Sequence, residues 1–259
     1  MFISRSRSKG VQSDSRSTAN RPVSISVAVM THNETQEFKW LMRALEPVRS
    51  IIDEIVVVDD FSDDDFIETI RSFEKTWPIK FFQRRLNKNF AAQRNFAMAQ
   101  CQGRLILFPD ADELPSKRTL MGLPKLIEWM ESHEIDACYL PRLNVVVPGG
   151  NLSDPSLITD DNIQFSNWED QIRILRNLPH LRFVRRVDEL LAGIKRAYKF
   201  PHTKDFALLH VKTSERIERQ KRFYRSIHLA ATLSKHWNSI AKRTFRIDRQ
   251  KIIQSDPPI

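Results

Sequence analysis

The sequence predicts an α/β protein built on a mostly parallel sheet with helices on both faces. Three observations lead there: short apolar runs rich in β-branched residues, segments of helical periodicity between them, and polar or acidic residues where the runs end.

Residues 25–30 (ISVAVM) read as a buried strand, and residues 34–46 as a helix with Phe38, Leu41, Met42 and Leu45 on one face, ended by Pro47. The run 54–59 (EIVVVD) is the clearest strand, continuous as parallel strands buried on both sides are, and a helix follows over 66–73. Strands at 79–83 and 104–108 (RLILF) flank a helix over 90–100. After Asp112 the rhythm loosens. A helix is expected over 118–132, a longer strand over 137–147, and a loop rich in Gly, Pro, Asn and Asp over 148–166. Short strands follow at 171–175 and 181–184, and Ser214 is placed to cap a helix over 215–234, where Ile217, Tyr224, Ile227 and Ala231 recur at helical spacing. The expected organisation is a tail over 1–22, a first half over 23–147 and a second half over 148–259, the two halves forming one continuous domain.

Composition narrows the function classes. At 259 residues and 30.4 kDa the chain fits one large domain. Its 41% hydrophobic and 28% charged residues exclude a wholly disordered or fibrous protein. No apolar run reaches the ~18 residues of a bilayer-spanning helix, so an integral membrane enzyme is not expected. Two cysteines, Cys101 and Cys138, are too few for a disulfide framework, which makes a reducing compartment the default. The first 21 residues are rich in Ser and Arg, and read as a disordered tail without the apolar stretch of a secretory signal; a transit peptide stays open. The net charge of +9 is uneven: residues 22–181 hold 17 Lys/Arg against 24 Asp/Glu, and residues 182–251 hold 19 against 6. An acidic part facing a basic one suits a site that holds a divalent cation with a polyanionic small molecule, and a solvated basic surface is the plain alternative.

Ligands of open parallel sheets bind outside the carboxyl ends of the strands. Thr31-His32-Asn33-Glu34 follows the first strand, Asp59-Asp60-Phe61-Ser62-Asp63-Asp64 the second, and Asp110-Ala111-Asp112-Glu113 the fourth. Asp110 and Asp112, two apart on a turn, can share a hard cation and leave positions for phosphate oxygens. The same acids can simply favour a helix dipole, and Ser62 or Asp63 can simply cap a helix. Neither G-x-G-x-x-G nor G-x-x-x-x-G-K-[ST] occurs, so phosphate must be neutralised by a metal and by Lys/Arg, for which Arg94 and the basic second part are available.

Val56 to Asp64 (VVVDDFSDD), Asn89 to Asn95 (NFAAQRN) and Phe108 to Glu113 (FPDADE), with Thr31-His32-Asn33-Glu34 ahead of them, resemble the ordered motifs of family 2 glycosyltransferases. The resemblance covers residues 25–113. It implies the GT-A fold, a Rossmann-like mostly parallel sheet flanked by helices, with a smaller C-terminal acceptor-side and helical part. It also implies a glycosyltransferase of hexosyltransferase type that moves a sugar, with inversion, from a nucleoside diphosphate sugar to a glycan, lipid-linked or protein acceptor. A divalent cation, Mn2+ or Mg2+, is the implied cofactor, and nucleic acid is not an expected partner. The second part is similar to a soluble subgroup of lipopolysaccharide-core β-glucosyltransferase-like proteins. Asp170 to Arg176 (DQIRILR) looks like its Asp-x-Gln-x-Arg-Leu-Phe-Arg strand, Val187-Asp188-Glu189 like its Val-His-Glu with Asp188 in place of His, and Leu209-His210-Val211 and Lys221-Arg222-Phe223-Tyr224 like its later His and basic-aromatic helix.

On that resemblance, Asp112 is the principal metal ligand and His210 a metal or diphosphate ligand. Asp110 supports the metal or the ribose, Asp59 and Asp60 contact base or ribose, Thr31, Asn33 and Glu34 meet the nucleoside edge, and Arg94 faces the nucleotide. Glu189 is the expected general base, with Asp188 and Asp170 behind it; an ion pair with Arg185 or Arg186 is its structural alternative. Lys221 and Arg222 are candidates for phosphate or acceptor, and Trp168 and Trp237 for a sugar ring. The expected location is cytoplasmic, with peripheral contact at the inner membrane face left open. Two other classes compete: a nucleotidyltransferase acting on sugar phosphates, and a non-catalytic basic module binding nucleic acid or anionic membrane through residues 182–251.

Overall fold

The computed structural model describes residues 25–147, 164–213 and 251–253, together with 257 and 259. The expected tail, most of the 148–166 loop, and the 215–234 helix with Lys221, Arg222 and Trp237 therefore lie outside the described residues.

Strand β1 (Ile25–Thr31) occupies the middle of the first half, paired in parallel with β2 (Glu54–Asp59) on one side and β4 (Leu105–Leu107) on the other. Strand β3 (Ile79–Gln83) extends the sheet beyond β2, also in parallel. Side chains alternate across these strands. Val27, Val29, Ile55 and Val57 join the core under helices α1 (Thr35–Leu45), α2 (Asp64–Glu74) and α4 (Lys117–Ser132). Ala28, Val56 and Val58 join a second core with Ala91, Ala97 and Met98 of α3 (Phe90–Gln100). Apolar residues at every position are what a strand needs when both faces are covered, which is why these runs read continuously in the sequence.

Beyond β4 the order continues through β7 (Gln164–Arg176), β6 (Ala137–Val147), β10 (Arg196–Lys199) and β12 (Lys251–Ile253). Strand β7 runs antiparallel to both β4 and β6, whereas β10 is parallel to β6 and β12 to β10. Strand β5 (Glu113–Pro115) pairs with β11 (Leu208–Thr213), which also runs parallel to β6. The sheet is thus mostly parallel, as expected. A hairpin of β8 (Arg182–Val184) and β9 (Leu190–Ala192) packs Phe183 and Leu191 into the α3-side core.

Two expectations need adjustment. Pro47 does not end the chain's helical path; it sits in the first turn of a 3-10 helix, Glu46–Ile51, where a fixed φ and a missing N–H cost nothing. The short strand expected over 171–175 is the end of thirteen-residue β7. Its first part is mostly polar in sequence, is partly exposed from Trp168 to Gln171, and pairs with β6 through two irregularities, so it lacks the apolar run that marks the other strands.

At the amino ends of the parallel strands, buried Glu54 ties three segments together. It accepts hydrogen bonds from the Ser26 hydroxyl and from the backbone N–H groups of Gln102 and Gly103, and pairs with Lys80 Nζ at 2.5 Å. Gly103 is required at this crossing, since a β-carbon there would lie 2.6 Å from the Ser26 nitrogen. Among the described residues no helix is long and apolar enough to cross a membrane.

Candidate functional site

The carboxyl ends of the strands, opposite Glu54, are laced by side chains rather than by an apolar core. Asp59 is fully buried and accepts from the Thr31 hydroxyl (3.1 Å), the Ser62 backbone N–H (2.8 Å) and the Gln83 amide (3.3 Å). Asn33, in the left-handed region with φ 53°, accepts from the Asp63 N–H at 2.8 Å while its own N–H donates to the Ser62 hydroxyl at 2.7 Å. The loops after β1 and β2 are thereby held as one unit. Asp60 receives the Leu86 N–H at 3.0 Å, which fastens the loop after β3 to the same unit.

After β4, the Asp110–Glu113 turn stands over a ladder of alternating buried charges. Glu113, fully buried, takes Arg173 Nε at 2.5 Å and Nη2 at 2.8 Å, with Arg142 Nη1 at 3.3 Å. Asp110 joins Arg173 Nη2 and Arg94 Nη2, each at 2.7 Å, and Arg94 Nε donates to Glu189 Oε1 at 2.5 Å. The Arg94 guanidinium also lies against the edge-to-face pair of the Phe108 and Phe183 rings, 4.9 and 5.5 Å from their centroids. Burial would raise the Asp110 carboxyl, but the Arg173 and Arg94 guanidiniums hold it well below the usual carboxylate range. Burial likewise opposes the charge on Arg173, and Asp110 and Glu113 more than restore it. Arg94 Nη1 and Arg142 Nε are buried without a hydrogen-bond partner among the described residues.

Beside this ladder Asp112, buried, sets Oδ2 2.8 Å from His210 Nε2, and His210 Nδ1 lies 2.7 Å from Asn144 Oδ1. The Val211 N–H donates to the Asp112 carbonyl at 3.3 Å, so β11 brings His210 to a loop almost a hundred residues earlier.

These groups surround a cavity of about 580 Å3. Thr31, Asn33, Glu34 and Asp60 line it from the ends of β1 and β2; Asp110, Asp112 and His210 line it from the β4 loop and β11; Arg94 and Glu189 close it from α3 and the β8–β9 hairpin. Asp59 is absent from that lining and acts on it through Thr31 and Ser62. Asp188 is exposed, in the left-handed region with φ 50°, and outside the lining. Asp170 is outside as well, pairing with Lys199 at 2.6 Å and His202 at 2.9 Å, and Trp168 stacks on His202 with centroids 5.5 Å apart. The partner of Glu189 is Arg94 rather than Arg185 or Arg186.

Sequence reasoning passed over Arg142 and Lys212, which also line the cavity, and Arg173 and Asn144, which support it. A signal for two of them was present: Arg142 and Asn144, two apart, interrupt the otherwise apolar end of β6 and so share one face. Among the described residues no three His, Cys, Asp or Glu side chains are grouped to hold a metal by themselves.

Comparison with known proteins places the chain. The model of the family described as Glycosyl transferase family 2 matches residues 26–186. The SPbeta prophage-derived glycosyltransferase SunS of Bacillus subtilis is 27% identical over 119 residues, which is 46% of this chain and 27% of SunS. The poly(ribitol-phosphate) beta-N-acetylglucosaminyltransferase TarS of Staphylococcus aureus is 29% identical over 106 residues, 40% of this chain and 18% of TarS. The matched part thus spans about a quarter or less of these relatives' lengths. A crystal structure of S. aureus TarS 1–349 in complex with UDP-GlcNAc aligns over 51% of this chain and 37% of that one, at 25% identity and a TM-score of 0.38.

Proposed function

The chain belongs to glycosyl transferase family 2, and we propose that it transfers a sugar from a nucleoside diphosphate sugar to an acceptor hydroxyl, with inversion and with a divalent cation, Mn2+ or Mg2+. The observation that carries this reading is the meeting of Asp60, Asp112 and Glu189, from three distant parts of the chain, around one cavity of a size that suits a small organic ligand. TarS and a mannosyltransferase from Pyrobaculum calidifontis have been solved with UDP-GlcNAc and with GDP-Man and Mn2+ respectively, which is consistent with this donor class.

The donor set supports the cation. With the Nδ1–H of His210 donated to Asn144 Oδ1, the Nε2 lone pair faces a carboxylate oxygen 2.8 Å away. At that separation the two atoms share a proton, and a cation binding here would take the proton's place and move the two ligands apart. Asp112 and His210 would hold the ion, Asn144 would fix the imidazole tautomer, and oxygens of the diphosphate and water would complete the coordination. The bound cation would neutralise charge on the departing diphosphate.

The chain's own groups do the rest. Asp60, Thr31, Asn33 and Glu34 hold the nucleoside; Asp59 fixes Thr31 and the following loop without touching ligand. Arg94, Arg142 and Lys212 line the cavity and add positive charge around the leaving group. Glu189 takes the proton of the acceptor hydroxyl as that oxygen attacks the anomeric carbon from the face opposite the diphosphate. The C–O bond to the diphosphate breaks with its electron pair, and a single displacement inverts the centre. Arg94 Nε engages one Glu189 oxygen and aims the other. The acceptor is a glycan, a lipid-linked sugar or a protein, and a cytoplasmic location with peripheral contact at the inner membrane face belongs to the same proposal.

A thermal-shift screen of nucleoside diphosphates with and without manganese tests the reading, with Asp112→Ala as control. Metal-dependent stabilisation by one nucleotide, lost in the variant, is the expected result. No response to any nucleotide, or turnover of nucleoside triphosphate with sugar phosphate in place of the diphosphate sugar, overturns it.

A further inference from the structure

Among the described residues, four of the seven non-glycine residues in the left-handed region lie in two turns beside the cavity: Asn87 and Lys88 (φ 48° and 53°) after β3, and Arg185 and Asp188 (φ 73° and 50°) in the β8–β9 hairpin. Such conformations persist only where the surroundings enforce them. Here the enforcement is visible. Arg186 Nη2 donates to the Asn87 carbonyl at 2.9 Å and Nε to the Lys88 carbonyl at 3.4 Å, and the Phe90 N–H donates to the Arg186 carbonyl at 2.9 Å. The two strained turns are one platform.

That platform presents cations to solvent. Lys88, Arg185 and Arg186 are exposed, and neither the Lys88 nor the Arg185 side chain has a hydrogen-bonding or ionic partner among the described residues. Arg85, stacked 4.1 Å over the exposed Phe61 ring, continues the cationic edge, and exposed Asp188 is the acid within the same hairpin turn. The platform adjoins the reaction centre: Leu86, Phe90 and Glu189, which alternate with its residues along the chain, all line the cavity. The cations themselves do not line it. A donor seated in the cavity therefore leaves them unused, while a molecule offering its hydroxyl to Glu189 docks three residues along the same hairpin turn from Arg186.

We propose that the acceptor is an anionic saccharide, and that Lys88, Arg185 and Arg186 hold a phosphate group it carries next to the sugar that receives the transfer. This rests on the glycosyl-transfer reading for the role of Glu189, but the cationic platform and its strain are independent of it. A phosphate is the anion of choice because three exposed cations share the two joined turns, a phosphate offers three terminal oxygens to such donors, and Arg186, pinned to the Asn87 and Lys88 carbonyls, is a preorganised one.

The test uses the full chain saturated with the nucleoside diphosphate and manganese that stabilise it. Trehalose 6-phosphate, trehalose and inorganic phosphate are titrated separately, for the wild type and for Lys88→Gln/Arg185→Gln, substitutions that keep a side chain at both strained positions. The expected result is binding of the phosphorylated disaccharide about tenfold tighter than trehalose or inorganic phosphate, the size that two or three exposed charge contacts give, and weaker at high salt. The double variant should abolish that preference while its affinity for the nucleotide stays within about twofold of wild type. Equal binding of trehalose and its phosphate, an unchanged preference in the variant, or inorganic phosphate binding as well as the disaccharide phosphate overturns the proposal. So does displacement of the nucleotide, which would put the anion in the diphosphate's place. Failure of every nucleotide to bind would instead count against the transferase reading, and the three titrations on the bare chain would still decide the platform.

Discussion

Replacing Arg173 with Met removes the centre of the buried charge ladder while keeping an unbranched apolar stem. Wild-type Arg173 makes three charged contacts of 2.5–2.8 Å, two to Glu113 and one to Asp110. Taking away one partner of a buried pair costs about 3–5 kcal/mol, because the remaining charge is left without solvent or counter-ion. Glu113 would retain Arg142 at 3.3 Å and the Asp110 N–H at 3.1 Å, and Asp110 would retain Arg94. Those survivors put the cost at the lower end, about 3 kcal/mol, or a fall in Tm of roughly 6–12 °C for a domain of this size. Urea denaturation followed by circular dichroism measures it, with the m value expected to stay unchanged. A second arm separates ladder from mere packing: Arg173→Met/Glu113→Gln leaves no buried carboxylate stranded at position 113, so the double variant should be about 1–3 kcal/mol more stable than the sum of the single effects. A Tm within about 2 °C of wild type for Arg173→Met, or strict additivity in the cycle, would refute the electrostatic account of the ladder.

Four further outcomes are expected. Glu189→Gln should lower transfer by about 100- to 10,000-fold with nucleotide affinity near wild type, and near-normal turnover would remove Glu189 from the role of base. Asn144→Ala should weaken manganese-dependent nucleotide stabilisation about 10- to 100-fold without unfolding the chain, since it frees the His210 ring and, besides it, one oxygen of the exposed Glu169 carboxylate; an unchanged manganese titration would show that the tautomer needs no such anchor. Glu54 is held below its ordinary value of 4.5, because bonds from Lys80, Ser26 and Gln102 outweigh the upward push of burial. The stability it confers is therefore complete above that value and lost as pH falls through the folded-state value. Glu54→Gln should then be destabilised by about 1–3 kcal/mol at pH 7, with the gap to wild type closing below pH ~4.5, and a gap constant with pH would contradict the linkage. Gly103→Ala should cost about 1–3 kcal/mol by overpacking against Ser26, read as a Tm shift at unchanged m.

Much of the first half was legible because its strands are covered on both faces. The limits of β2, β3 and α3 follow directly from where continuous apolar or helical spacing starts and stops. The acidic loops were legible too, since strand ends announce themselves by an abrupt change to Asp, Asn and Ser. What was not legible depends on partners far apart in sequence. Asp59 and Asp60 look alike as neighbours, and only the fold separates them, turning Asp59 inward to Thr31 and Ser62 and leaving Asp60 at the cavity. Arg173 reads as an ordinary polar position of a strand; its meaning comes from Glu113, sixty residues earlier, reached because β7 inserts antiparallel between β4 and β6. Strand β8 was legible at 181–184, but its partner β9 was not, nor the hairpin pairing that carries Glu189 to Arg94.

The two ends of the sheet make the same kind of investment in buried charge and finish it differently. At the amino ends, Glu54 gathers donors from Ser26, Gln102, Gly103 and Lys80, and no buried side-chain nitrogen or oxygen of that cluster is left without a partner. At the carboxyl ends the ladder runs through Glu113, Arg173, Asp110, Arg94 and Glu189, and two guanidinium nitrogens, Arg94 Nη1 and Arg142 Nε, remain unmatched in the cavity's walls. A buried N–H without an acceptor costs about 1–3 kcal/mol, a penalty that folding alone would remove by substitution or rotation. Among the described residues it falls on two of the three Lys and Arg side chains that line the cavity and on Trp40 Nε1 away from it, and not around Glu54, so the amino-end cluster closes on itself while the carboxyl-end ladder leaves donor capacity unspent. The same contrast separates neighbouring loops: Asp112 meets His210 Nε2 at 2.8 Å in the cavity wall, whereas Asp59, behind that wall, takes its contacts from Thr31, the Ser62 N–H and Gln83.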